Sequence, residues 1–226
     1  MPPKLLFLHG AGTNAAIFRI QSRNLAALLK PHFELVYLDG FLPSPPGPGV
    51  LPFFEGCGPY LKWLCDEHVR DEALHWQCTD GVDRLVAEYR RLGPFVGVVG
   101  FSQGAKAAMY LIRRLEELNE AGELRIFVAV CGTAPFEGGG QVDGQEEENG
   151  IRKEGFKESL EKGLVKTESV HVIGDNDPWR VPSETLVRFF EGPKRVVRFK
   201  GAHHMPVEEE VNKLVVDSIL AAYADT

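Results

Sequence analysis

Long apolar runs are missing from this chain, and so are a basic stripe and paired cysteine motifs. Its longest hydrophobic stretches fall far short of the roughly 20 residues needed to cross a bilayer. The amino-terminal run Leu5–Leu8 ends at His9, too soon for the core of a secretion signal, so the expected address is cytoplasmic. Lys and Arg number 25 against 32 Asp and Glu, a formal charge of −7, and the basic residues are scattered among acidic ones. That distribution argues against nucleic acid or an anionic membrane as partner. The four cysteines (57, 65, 78 and 131) show neither C-x-x-C spacing nor a histidine pairing suited to zinc. Reduced structural thiols and no metal are therefore expected, and no cysteine sits in a turn that would make it a nucleophile. Internal repeats and breaks in composition are absent too, so residues 1–226 are read as a single domain.

What is present is an alternation. Strand-like runs occur at Lys4–Leu8, Phe33–Leu38, Phe95–Val99, Arg125–Val130, Ser169–Ile173 and Arg195–Phe199. Helical periodicity lies between several of them, at Ile17–Leu29, through Val82, Leu85, Val86 and Tyr89, and in a carboxyl-terminal segment from Val207 to Tyr223. Such alternation implies right-handed crossovers and an α/β fold with a mainly parallel sheet of about six strands, covered by helices on both faces. Sites in such sheets form beyond the carboxyl ends of the strands.

The loops at those ends carry the chemistry. After the third run comes G-F-S-Q-G, a serine between two glycines where a buried strand meets a helix. G-x-S-x-G in that setting is a nucleophile elbow, whose tight turn lifts the Ser102 hydroxyl above the sheet edge. After the fifth run stands G-D-N-D, after the sixth G-A-H-H-M-P, and after the first H-G-A-G-T-N. Nucleophile, acid and base thus follow in the order Ser, Asp, His, the chain order of the α/β-hydrolase triad. A serine hydroxyl needs a hydrogen-bonded base, and imidazole has the right proton affinity. His203 and His204 both qualify, and on an extended loop at most one of them can reach Ser102. Asp175 and Asp177 are alternative acids for holding the imidazole. A calcium loop at D-N-D is excluded, because P-W-R-V-P supplies neither the further ligands nor the glycine of such a site. Backbone N–H groups of Gln103, after the nucleophile, and Ala11, after the first strand, are the expected oxyanion donors.

Several stretches together resemble a known family. L-H-G-A-G-T-N-A-A-I-F-R-I-Q, F-E-L-V-Y, G-P-G-V-L-P, G-P-Y-L-K-W, G-F-S-Q-G-A, G-D-N-D and G-A-H-H-M-P span nearly the whole chain. They are similar to the FSH family of small serine hydrolases, and within it to the fungal thioesterases that release polyketide chains. The resemblance implies the α/β-hydrolase fold and hydrolysis of an acyl thioester or ester through an acyl-enzyme, without a cofactor. Its G-x-x-D pattern implies Asp177 as the acid, and its G-x-H-x-x-P pattern implies His203 as the base. The implied partner is a polyketide or fatty acyl chain on the carrier domain of a synthase. A general carboxylesterase on small esters would need the same triad, and a non-catalytic binding protein on a hydrolase fold is the reading from another class. Residues 136–163 lie where these hydrolases keep a lid; here the segment is rich in Gly and Glu and is expected to be a mobile flap. Phe136 and Trp179, bordering the site, are the expected contacts to the acyl chain.

Overall fold

The computed structural model describes residues 2–65, 72–134 and 164–224. The expected flap, and Phe136 with it, lies outside these residues. Strand β1 (Lys4–Leu8) leads into two short helices, α1 (Ala15–Gln21) and α2 (Arg23–Leu29), and then into β2 (Glu34–Leu38). An excursion follows that contains the two-residue strands β3 (Leu42–Pro43) and β4 (Leu61–Lys62). Then come α3 (Glu72–Leu92), β5 (Gly97–Phe101), α4 (Gln103–Glu117), β6 (Ile126–Val130) and β7 (Glu168–Gly174). The chain closes with α5 (Arg180–Leu186), β8 (Lys194–Phe199) and α6 (Glu209–Ala224).

Six strands form one sheet in the order β2-β1-β5-β6-β7-β8, every neighbouring pair parallel. From β1 the chain moves first to one side, to β2, and later crosses to β5 on the other. The crevice at this reversal opens beside the carboxyl ends of β1 and β5. Strand period explains how the sheet is covered: Leu6 and Leu8 of β1 enter one apolar cluster with α3 and α4, while Leu5 and Phe7 enter the other with α1, α2 and α6. Val98 against Val99, and Phe127 and Ala129 against Ile126, Val128 and Val130, repeat that alternation. A central strand buried on both faces reads as continuously apolar, as the sequence does there.

Two expectations need correcting. The helical period across Ile17–Leu29 is interrupted, because Ser22 ends α1 and starts α2, its hydroxyl donating to Phe18 O at 2.7 Å and lying 2.8 Å from the Tyr37 hydroxyl. A serine that turns its side chain back onto the helix offers the chain an exit that apolar spacing does not register. Nor are all the cysteines reduced: Cys65 is in a disulfide, while Cys57 and Cys131 are free thiols. Pairing is decided by proximity in space, which sequence spacing could not disclose. Among the described residues no helix is long and apolar enough to cross a membrane.

Candidate active site

Ser102 occupies the turn between β5 and α4 with φ 52° and ψ −122°, a region that residues with a Cβ rarely enter. The flanking glycines make this turn possible. A Cβ on Gly100 would lie 2.4 Å from backbone atoms of Ala105, and one on Gly104 only 2.1 Å from Leu8 O. Helix α4 therefore begins in backbone contact with the end of β1, which brings the loop after β1 and the serine together. The ideal Cβ position of Gly10 is 3.5 Å from Ser102 Cβ.

His203, on the loop after β8, places Nε2 at 2.9 Å from Ser102 Oγ and Nδ1 at 2.9 Å from Asp177 Oδ2. Asp177, on the loop after β7, has a side chain with no solvent exposure. Burial works against its charge, but hydrogen bonds from His203 and the Trp179 N–H, the latter at 2.8 Å, outweigh it and hold the carboxyl below the usual aspartate range. Two aromatic rings approach the imidazole, both tilted against it, with centroids 5.2 Å away for Phe101 and 4.6 Å for Trp179.

The alternatives left open by sequence face elsewhere. His204 turns back on its own loop, Nε2 accepting from the Ala202 N–H at 3.2 Å and Nδ1 lying 2.9 Å from Met205 O. Asp175 is exposed and pairs with Arg198 at 3.2 Å. Among the described residues, one group of potential metal ligands has its atoms within 4.8 Å of one another: Cys131, Asp177 and His203. Two of these three are already joined by the hydrogen bonds above.

The loop after β1 is shaped by His9, which is fully buried. Gly40 N–H donates to its Nε2 at 2.8 Å, so the ring proton is on Nδ1, 2.8 Å from Gly10 O. Burial lowers the basicity of His9, with the Gly10 hydrogen bond and the charge of Asp39 pulling the other way, so the ring stays neutral. Thr13 Oγ1 donates to the same Gly10 carbonyl at 2.6 Å. A trans peptide points its N–H opposite to its C=O, so fixing Gly10 O on the His9 and Thr13 side turns the Ala11 N–H away from them. Among the described residues, neither Ala11 N–H nor Gln103 N–H has an acceptor in the protein.

Gln103 has a second engagement that sequence did not suggest. Its Oε1 accepts from the N–H of Trp63 at 2.9 Å and of Leu64 at 3.4 Å, and its Nε2 donates to Leu64 O at 3.3 Å. Trp63 Nε1 in turn donates to His9 O at 2.7 Å. Both expected oxyanion positions are thus braced by one segment. These partners are 40 and 54 residues apart in sequence, and no local pattern connects them.

Residues 1–215 match the family described as Serine hydrolase (FSH1). Esterase FUS5 of Gibberella moniliformis is 34% identical over 226 residues, covering 98% of this chain and 87% of its own. The dihydromonacolin L-[lovastatin nonaketide synthase] thioesterase of Aspergillus terreus is 27% identical, covering 91% and 86% respectively. Among solved structures, esterase PE8 superposes with a TM-score of 0.61 at 18% identity over 97% of this chain and 92% of that one, which shows a shared fold. With a sheet of this topology and a match across nearly its whole length, the chain belongs to the FSH1 family of serine hydrolases.

Proposed function

We propose that Ser102 is the nucleophile of an acyl hydrolase, His203 its base and acid, and Asp177 the carboxylate that orients the imidazole. The observation that carries this reading is the continuous row Asp177–His203–Ser102, joined by two contacts of 2.9 Å and ending on a serine held in a strained turn. Nδ1–H donates to Asp177, leaving Nε2 to accept the hydroxyl proton as Oγ attacks the acyl carbonyl carbon. The carbonyl oxygen becomes an oxyanion between the N–H groups of Ala11 and Gln103, which are oriented before reaction and cost no reorganisation. Collapse breaks the bond to the thiol or alcohol, which leaves with the proton from Nε2. Water then repeats the sequence on the acyl-enzyme and frees the carboxylic acid and Ser102.

The substrate class proposed is a polyketide or fatty acyl thioester presented on the carrier domain of a synthase. Support comes from the Aspergillus terreus relative, named for dihydromonacolin L on its synthase, and from apolar surface near the oxyanion loop. Gly47 N–H donates to Gly12 O at 3.0 Å, next to Ala11, and the turn that follows Gly47 displays Phe53 at 85% exposure and Leu51 at 47%. Trp179, whose ring is tilted 56° against the imidazole at 4.6 Å, borders the path of the acyl group. A fluorophosphonate should add its mass to the peptide holding Ser102, and matched thioester and oxygen-ester substrates should be cleaved with the thioester preferred. No label on Ser102 would overturn the nucleophile; preference for short oxygen esters would overturn the substrate.

A further inference from the structure

Cys131 is the first residue past β6, between the strands whose ends carry Ser102 and Asp177. It is fully buried and has φ 45°, a left-handed conformation uncommon for a residue with a side chain. Its backbone is held on both sides: its own N–H donates to Val172 O at 2.8 Å, and the next carbonyl, of Gly132, accepts from the Ser183 hydroxyl at 2.7 Å. The sulfur lies 3.7 Å from Ala202 O and 3.6 Å from His204 O, the carbonyls on either side of His203. It is also within 4.8 Å of the ligating atoms of both Asp177 and His203. One side chain therefore lies within 4.8 Å of the acid and against the carbonyls of the residues on either side of the base.

We propose that Cys131 is a positioning residue of the acid–base pair, its protonated thiol supporting the Asp177 carboxylate from below and fixing the 202–204 backbone that aims His203. The groups facing it are Asp177 from the loop after β7 and His203 and His204 from the loop after β8. Burial, and after it the negative charge of Asp177, push the thiol's proton affinity up, so Cys131 stays a neutral donor and does not act as a nucleophile. A carboxylate that shares part of its charge with a thiol has less to offer the imidazolium. Removing the thiol should raise the proton affinity of Asp177 and strengthen its hold on the imidazolium, which moves the acid limb of the rate profile to higher pH. Positive φ at a residue with a Cβ is conformationally unfavourable, and it is sustained where a side chain is needed in that place.

The inference rests on the triad assignment, and the test separates the two. In Cys131→Ala, kcat should fall about tenfold, the loss expected for one orienting contact, with KM within about twofold. The acid limb should move upward in pH. Cys131→Ser, which keeps a donor, should recover most of kcat and return the limb towards the parent position. Cys131→Gly relaxes the backbone while deleting the thiol, and should lose kcat as the alanine variant does. This last variant keeps the inference testable if alanine folds poorly. Unchanged kcat and unchanged pH profile in the alanine and glycine variants would overturn the inference while Ser102 labelling of the parent remained intact. A serine variant as slow as alanine with an unmoved limb would mean that the sulfur only fills space. Failure of the parent to label at Ser102 would remove the triad and this inference together.

Discussion

The strain at Ser102 can be measured by comparing two variants that share every loss except one. Both Ser102→Ala and Ser102→Gly delete the hydroxyl and its 2.9 Å contact with His203, and hydrolysis should fall by a factor on the order of 10³ or more in each. They differ in the Cβ. At φ 52° and ψ −122° a residue with a Cβ is held in a sparsely populated region at a cost of about 1–3 kcal/mol, which glycine does not incur. Against this, glycine loses about 0.5–1 kcal/mol relative to alanine through its freer unfolded chain. The glycine variant should therefore be the more stable by about 1 kcal/mol, or about 2–4 °C in melting temperature for a chain of this size. Thermal or urea unfolding of the two inactive proteins side by side checks this. A glycine variant that melts at or below the alanine variant would refute the claim that the elbow stores strain at the serine itself.

His203→Ala should be crippled on the order of 10³-fold or more, whereas His204→Ala should keep most of its turnover, since the His204 imidazole hydrogen-bonds to its own loop; the reverse ranking in steady-state assays would show the base misassigned. Asp177→Asn should lose far more kcat than Asp175→Asn, whose carboxylate pairs with Arg198 at the surface; equal losses would point to another acid. Acid stability should depend on His171, which burial, and after it the charge of Lys194, push down to about 3. The folded imidazole stays neutral while the unfolded one takes up a proton near its ordinary value of 6.5, so stability is full above that pH and declines as pH falls towards 3. At pH 5 the loss should be about 2 kcal/mol. Urea midpoints at pH 7 and pH 5 should separate the parent from His171→Leu; the same shift in both would contradict this.

Strands were the most legible part of the fold. Lys4–Leu8 coincides with β1, and the other five runs overlap their strands with at least one end displaced by one or two residues, because short apolar runs between loops have few other ways to bury themselves. Position just beyond a strand end singled out Ser102 but left Asp175 or Asp177 and His203 or His204 open; the family resemblance implied Asp177 and His203, and these are the two that meet Ser102 in one hydrogen-bonded row. The bracing of the loop after β1 was not legible: Trp63 and the Gln103 side chain meet through hydrogen bonds between distant segments, Thr13 adds a local one, and single polar residues carry no periodicity. The break at Ser22 and the disulfide at Cys65 were hidden for related reasons, one a local hydroxyl contact and the other a spatial pairing.

Because the sheet runs β5-β6-β7-β8, Ser102 and His203, the proposed nucleophile and base, are rooted three strands apart, roughly 14 Å at the usual strand spacing. His203 follows the outermost strand, β8, and three of that strand's six residues are exposed. An edge strand can detach while the centre of a sheet stays paired. Detachment of β8 would withdraw His203 from Ser102 without disturbing the elbow, so catalysis should vanish at a lower denaturant concentration than the sheet's circular-dichroism signal. In this molecule, turnover is expected to report local opening at the sheet margin before any probe of the bulk fold does.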